Sequence, residues 1–171
     1  MKTTTLLVFS LLFALNGYAG PPRASWSGQA TREENLTHRH EIVLEGSDRL
    51  VTPDVFRPPV EITIVAKTDS TDLRIGYAAD QVIFNWRDNT EQLRVDGGAA
   101  GGQHANGAGQ IPKDKYATIK WLVTPQHQAI YADDQLRFES CGNYSELVAP
   151  VSVFPACGSV VTVKSLTVKK Q

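Results

Sequence analysis

Residues 113–139 constrain the fold more than any other stretch of the chain, because they read as three short strands joined by two tight turns. Ala117, Ile119, Trp121 and Val123 fall on one side of a period-two pattern, and Thr118 and Lys120 on the other. Pro125 lies in the turn over 124–127, where its fixed φ is tolerated, and residues 128–132 form the return strand. Asp133-Asp134 makes a second short turn, since Asp accepts unusual backbone angles better than most residues, and 136–139 is the third strand. Three strands with one apolar side are not stable alone in water, so they imply a larger antiparallel sheet.

The same alternation recurs along the chain. It predicts strands over 41–44, 50–52, 60–68, 73–77, 81–87, 93–96, 151–154 and 160–168. Val60, Ile62, Ile64 and Ala66 form one apolar face. Leu73, Ile75 and Tyr77 form another, joined by Val82, Phe84, Trp86, Leu93 and Val95. Residues 97–109 hold six glycines and four alanines and read as a flexible loop. The loop resembles a phosphate loop in composition only, lacking the Gly-Lys-Ser/Thr ending and a following helix. No segment carries a convincing helical period, so the class is all-β, an antiparallel β-sandwich.

The turn Ile-Tyr-Ala-Asp-Asp-Gln-Leu over 130–136 resembles the Tyr-Val-Asp-Gly-x-Leu hairpin of concanavalin A-like (laminin-G-like) jelly-roll domains. Residues 160–169 are similar to the closing strand of that family. The sequence departs from the pattern at Asp134, where Gly is usual. The resemblance covers about the last two-thirds of the chain, and it implies a jelly roll and a carbohydrate-binding role.

The first 19 residues read as a signal peptide. Lys2 is followed by an apolar run over 6–15, and Gly17 and Ala19 supply small residues before a cut after Ala19. The run is about half of the roughly 20 residues a membrane span needs. Residues 20–171 are then one exported, secreted or periplasmic, domain, large enough for a real core. Loss of Lys2 from 17 basic and 18 acidic residues takes the net charge from −1 to −2, which argues against general nucleic-acid binding. In an oxidising compartment Cys141 and Cys157 are expected to form a disulfide, closing a loop worth roughly 3 kcal/mol in the chain-entropy model.

Opposite the apolar positions stand Arg74, Asn85, Arg87 and Arg94, with Ile83 as the exception, and Lys67 and Lys120 join them from other strands. Arginine forks suit a carboxylate or sulfate. With Trp26 as a candidate stacking ring, these residues make an anionic glycan the sharpest ligand expectation. His104 and Asn106 are weaker candidates in the glycine-rich loop. His38 and His40 share a side of a strand but have no third metal ligand nearby, and neither a metal nor a cofactor is expected. No strand carries closely spaced carboxylates for glycoside hydrolysis, and no Gly-x-Ser-x-Gly elbow is present. The expected role is therefore a non-catalytic carbohydrate-binding domain. The alternatives are a structural or protein-interaction sandwich, or a glycan hydrolase whose carboxylates come together only in space.

Overall fold

The computed structural model describes residues 35–171, and among them there are eleven strands and no helix. They are β1 (Asn35–Glu45), β2 (Leu50–Val51), β3 (Val60–Thr68), β4 (Leu73–Gly76), β5 (Gln81–Phe84), β6 (Arg94–Asp96), β7 (Ala117–Val123), β8 (His127–Ala132), β9 (Gln135–Cys141), β10 (Ser152–Phe154) and β11 (Val160–Lys170). All pairings are antiparallel. They build a six-stranded sheet in the order β1-β11-β3-β7-β8-β9 and a five-stranded sheet in the order β2-β10-β4-β5-β6. The predicted three-stranded run is β7-β8-β9, and its second turn has Asp133 and Asp134 both at positive φ (49° and 61°). That is the backbone of a two-residue hairpin whose twist matches its strands.

The core lies between the sheets and is filled by the apolar faces read from the sequence. Val60, Ile62, Ile64 and Ala66 of β3 and Ala117, Ile119, Trp121 and Val123 of β7 are buried from one side. Leu73, Ile75, Val82, Phe84 and Val95 are buried from the other. Each large side chain buried in this way stabilises by about 1.5–3 kcal/mol. Tyr77 meets Trp121 edge-on at 6.2 Å between ring centroids. A polar relay runs along the inner side of the six-stranded sheet, from β7 to β9: Trp121 Nε1 donates to Gln128 Oε1 at 2.8 Å, and Gln128 Nε2 donates to Ser140 Oγ at 3.3 Å.

Three expectations are corrected. β5 stops at Phe84, because Asn85 takes φ 50° and breaks the alternation, so Trp86 leaves the core and lies half-buried outside it. The 97–109 segment is tied back to the sheet: Leu93 and Ala105 exchange backbone hydrogen bonds, and Val95 donates to Nδ1 of His104. The disulfide is not formed, and both thiols are free and exposed. Cys141 ends β9, an edge strand of the six-stranded sheet, opposite His127. Cys157 sits in the turn after β10, with its sulfur 3.8 Å from Arg74 of the five-stranded sheet.

Candidate functional site

The outward face of the five-stranded sheet gathers the polar side chains of the chain into a linked strip. Residues two apart on a strand share a face, so Arg94 and Asp96 lie together on β6, and Asp72, just before β4 at φ 51°, turns its carboxylate to Arg74. Register then sets Arg74 beside Ile83, Ile83 beside Arg94, and Gln81 beside Asp96.

The bonds follow from that placement. Arg74 donates through Nη2 to Asp72 Oδ1 and through Nη1 to Gln81 Oε1, both at 2.8 Å. Gln81 Nε2 donates to Asp96 Oδ2 at 2.9 Å, and Arg94 Nε reaches both oxygens of Asp96 at 2.9 Å. The Arg94 guanidinium lies 4.3 Å from the centroid of the Trp86 ring. Toward the other edge of the same face, Arg49 stacks over Phe154, which is in register with Arg74, at 3.7 Å and donates to Ser152 Oγ at 3.5 Å. Ile83 is buried but belongs to the outer side, flanked in register by Arg74 and Arg94, whose apolar stems suit such a neighbour.

Not all the sequence candidates meet here. Arg74 and Arg94 do, and Arg87 borders the strip, exposed and 3.5 Å from Asp88. The pKa of Arg87 is pushed up, first by the neighbouring Cys157 sulfur and then by the charge of Asp88. Asn85 is buried and faces inward to the chain itself: its Nδ2 donates to the Ile111 carbonyl at 3.0 Å and its Oδ1 accepts from the Ile111 amide at 2.9 Å. Lys120 lies on β7, opposite Thr63 and Tyr131, so it belongs to the outer face of the other sheet. Trp26, His38 and His40 fall outside the residues whose side chains are described. In the glycine-rich loop, His104 uses its Nδ1 on Val95, and Asn106 accepts from Gln92.

The sequence reading missed Asp72, Gln81, Asp96 and Phe154, and it placed Trp86 in the core. For Asp96 the signal was present, since Arg-Val-Asp puts a guanidinium and a carboxylate on one face of a strand, whereas Asp72 precedes its strand at φ 51°, where alternation does not place a side chain. Arg74 and Arg94 are thereby matched with carboxylates held in the strip, one of which, Asp72, is wholly buried, while Arg87 has the exposed Asp88. The strip alternates acid, base and amide; it is not a cluster of cations.

Known structures share this architecture. A galectin of Caenorhabditis elegans matches with TM-score 0.54 and 13% identity, over 78% of this chain and 99% of its own. A prokaryotic β-1,3-1,4-glucanase (lichenase) derived from a mouse hindgut metagenome matches with TM-score 0.58 and 9% identity, over 80% and 83%. The fold is the concanavalin A-like jelly roll. The exoplasmic/lumenal domain of VIP36 in its Ca2+/Man-bound form is a further jelly roll of this kind, with TM-score 0.56 and 5% identity over 82% of both chains. No family model and no curated protein sequence matches the chain. In jelly-roll terms the linked strip lies on the outward face of the smaller sheet, running across β4, β5 and β6.

Proposed function

We propose that this chain is a non-catalytic glycan-binding domain that takes a short oligosaccharide across the outward face of its five-stranded sheet. The observation that carries the reading is the continuous strip Asp72–Arg74–Gln81–Asp96–Arg94, with the half-buried ring of Trp86 at its end. Sugar hydroxyls donate and accept at once, so they suit alternating guanidinium, amide and carboxylate groups already held in place. An adjacent aromatic ring offers apolar surface to the C–H side of a sugar. The galectin, lichenase and Ca2+/Man-bound domain that share the fold are consistent with a saccharide ligand.

The charge pattern refines the ligand. Arg74 and Arg94 are matched by carboxylates and serve hydroxyls. Arg49 has no ion-pair partner among the described residues, and Arg87 has only a solvent-exposed one. A glycan carboxylate or sulfate would meet the domain at those two arginines. Hydrolysis needs two carboxylates facing one glycosidic bond, whereas Asp72 and Asp96 are each engaged by an arginine. Removal of residues 1–19 during export would put the domain where extracellular or periplasmic glycans are found.

Binding of the full chain to an array of neutral, uronic and sulfated oligosaccharides, at low and moderate salt, tests the reading. Trp86→Ala and Arg94→Ala are each expected to weaken the strongest signals about tenfold or more. Arg49→Ala is expected to affect only acidic members, and only at low salt. Binding that survives Trp86→Ala and Arg94→Ala would move the site off this face, and no binding to any member would end the proposal.

A further inference from the structure

A pocket of about 620 Å3 lies away from the strip, between the 110–113 segment and edge strand β9. Its lining includes Thr90, Gln110, Lys113 and Arg137, and no carboxylate. One wall is fixed in place. Asn85 clamps Ile111 through both side-chain groups, and its own amide donates to the carbonyl of Gly109 at 2.9 Å. Gly109 is packed so closely on Gln92 that a Cβ there would sit 2.3 Å from its backbone, so only glycine fits.

The other wall is set by a bulge. Ile130 pairs with Phe138 and Tyr131 pairs with Leu136, which leaves Arg137 with no residue opposite. A β-bulge of this kind re-aims a side chain away from the regular alternation. Arg137 is thereby turned to line the pocket, and its Nε is shut off from solvent with no hydrogen-bond partner. A buried donor left unpaired costs free energy and calls for an explanation. Among the described residues neither Arg137 nor Lys113 forms an ion pair.

We infer that this pocket is a second binding site, which takes the oxyanion of a small molecule: a carboxylate, sulfate or phosphate. Arg137 supplies the terminal N–H donors of its guanidinium, Lys113 adds charge, and Gln110 and Thr90 donate to the remaining oxygens. The volume admits a ligand of mono- or disaccharide size. The inference stands independently of the glycan reading of the sheet face.

Titration of the full chain with sodium sulfate, sodium phosphate and sodium glucuronate, each matched in ionic strength with sodium chloride, tests it by backbone amide NMR. At least one anion is expected to give saturable shifts at Ile111, Lys113 and Arg137 with a Kd of about a millimolar or tighter. Which anion binds tightest identifies the source of the oxyanion. Arg137→Leu is expected to weaken binding about tenfold or more. Lys113→Gln, on an exposed segment, gives a smaller loss and keeps the test decisive if the first variant misfolds. No saturable shift at these amides up to about 50 mM of any of the three anions, or unchanged affinity in either Lys113→Gln or a folded Arg137→Leu, would overturn the inference. Shifts at Arg94 and Asp96 report the sheet face separately, so the two sites fail or succeed apart.

Discussion

Asn85 shows what one residue decides. By alternation it stands on the polar side of its strand, which made it a candidate ligand. In the fold it has φ 50°, its side chain is spent on Ile111, and the strand ends one residue before it. Alternation identifies a face but not a left-handed backbone, and Asn is among the few residues that adopt one readily. Asn85→Ala removes both hydrogen bonds and adds backbone strain, so it is expected to destabilise by about 2–4 kcal/mol. Asn85→Gly keeps the backbone conformation and loses only the bonds, so it is expected to cost less than the alanine variant. Urea unfolding of the three proteins checks the order, and a glycine variant as unstable as the alanine variant would show that φ contributes nothing.

Elements were more legible than residues. Every strand expected from the sequence is present among the described residues, and β3 and β7 match the reading residue for residue. These strands have one buried face and one wet face, the condition under which period two is plain. The β9 bulge was not legible, because an extra residue shows only as a slip between partners. The hairpin joining β8 to β9 carries the chain's departure from the usual Asp-Gly turn. Asp134 holds φ 61° as an exposed residue, and no side-chain hydrogen bond involves it among the described residues, so Asp134→Gly is expected to stabilise by about 0.5–1 kcal/mol. Asp133 is different, because its Oδ1 accepts from the Thr118 amide at 2.8 Å. Asp133→Gly gains backbone freedom at φ 49° and loses that bond, so it is expected to be neutral or destabilising. Thermal melts of the two variants should move apart, and equal shifts would refute the distinction.

At the scale of the whole molecule, alternation tells inside from outside but not which sheet a strand joins. Lys120 and Arg94 both point outward, on different sheets. The cysteines were read as a pair from compartment and spacing, and they lie in different parts of the sandwich. What unites the sheets is contact across the interior, and Tyr77 against Trp121 is one such contact with a consequence for pH. Burial pushes the Tyr77 phenol from 10.0 up to about 12, so the native state resists its ionisation while the unfolded chain does not. Above pH 10 the unfolded state therefore binds fewer protons than the native state, and stability falls as pH rises. The contribution of Tyr77 is fully present below about pH 10 and is lost progressively toward pH 12. Tyr116 is pushed to about 12 as well, first by burial and then by the nearby Glu41 carboxylate, and it adds to the same limb. Tyr77→Phe cannot ionise and leaves the ring packing in place. The Tyr77 hydroxyl is buried without a hydrogen-bond partner among the described residues, so its removal is expected to be nearly neutral at pH 7. Urea midpoints measured from pH 7 to 12 are then expected to separate above pH 10, with the phenylalanine variant declining less steeply. Parallel curves for the two proteins would mean that Tyr77 ionises as readily in the sandwich as in the unfolded chain.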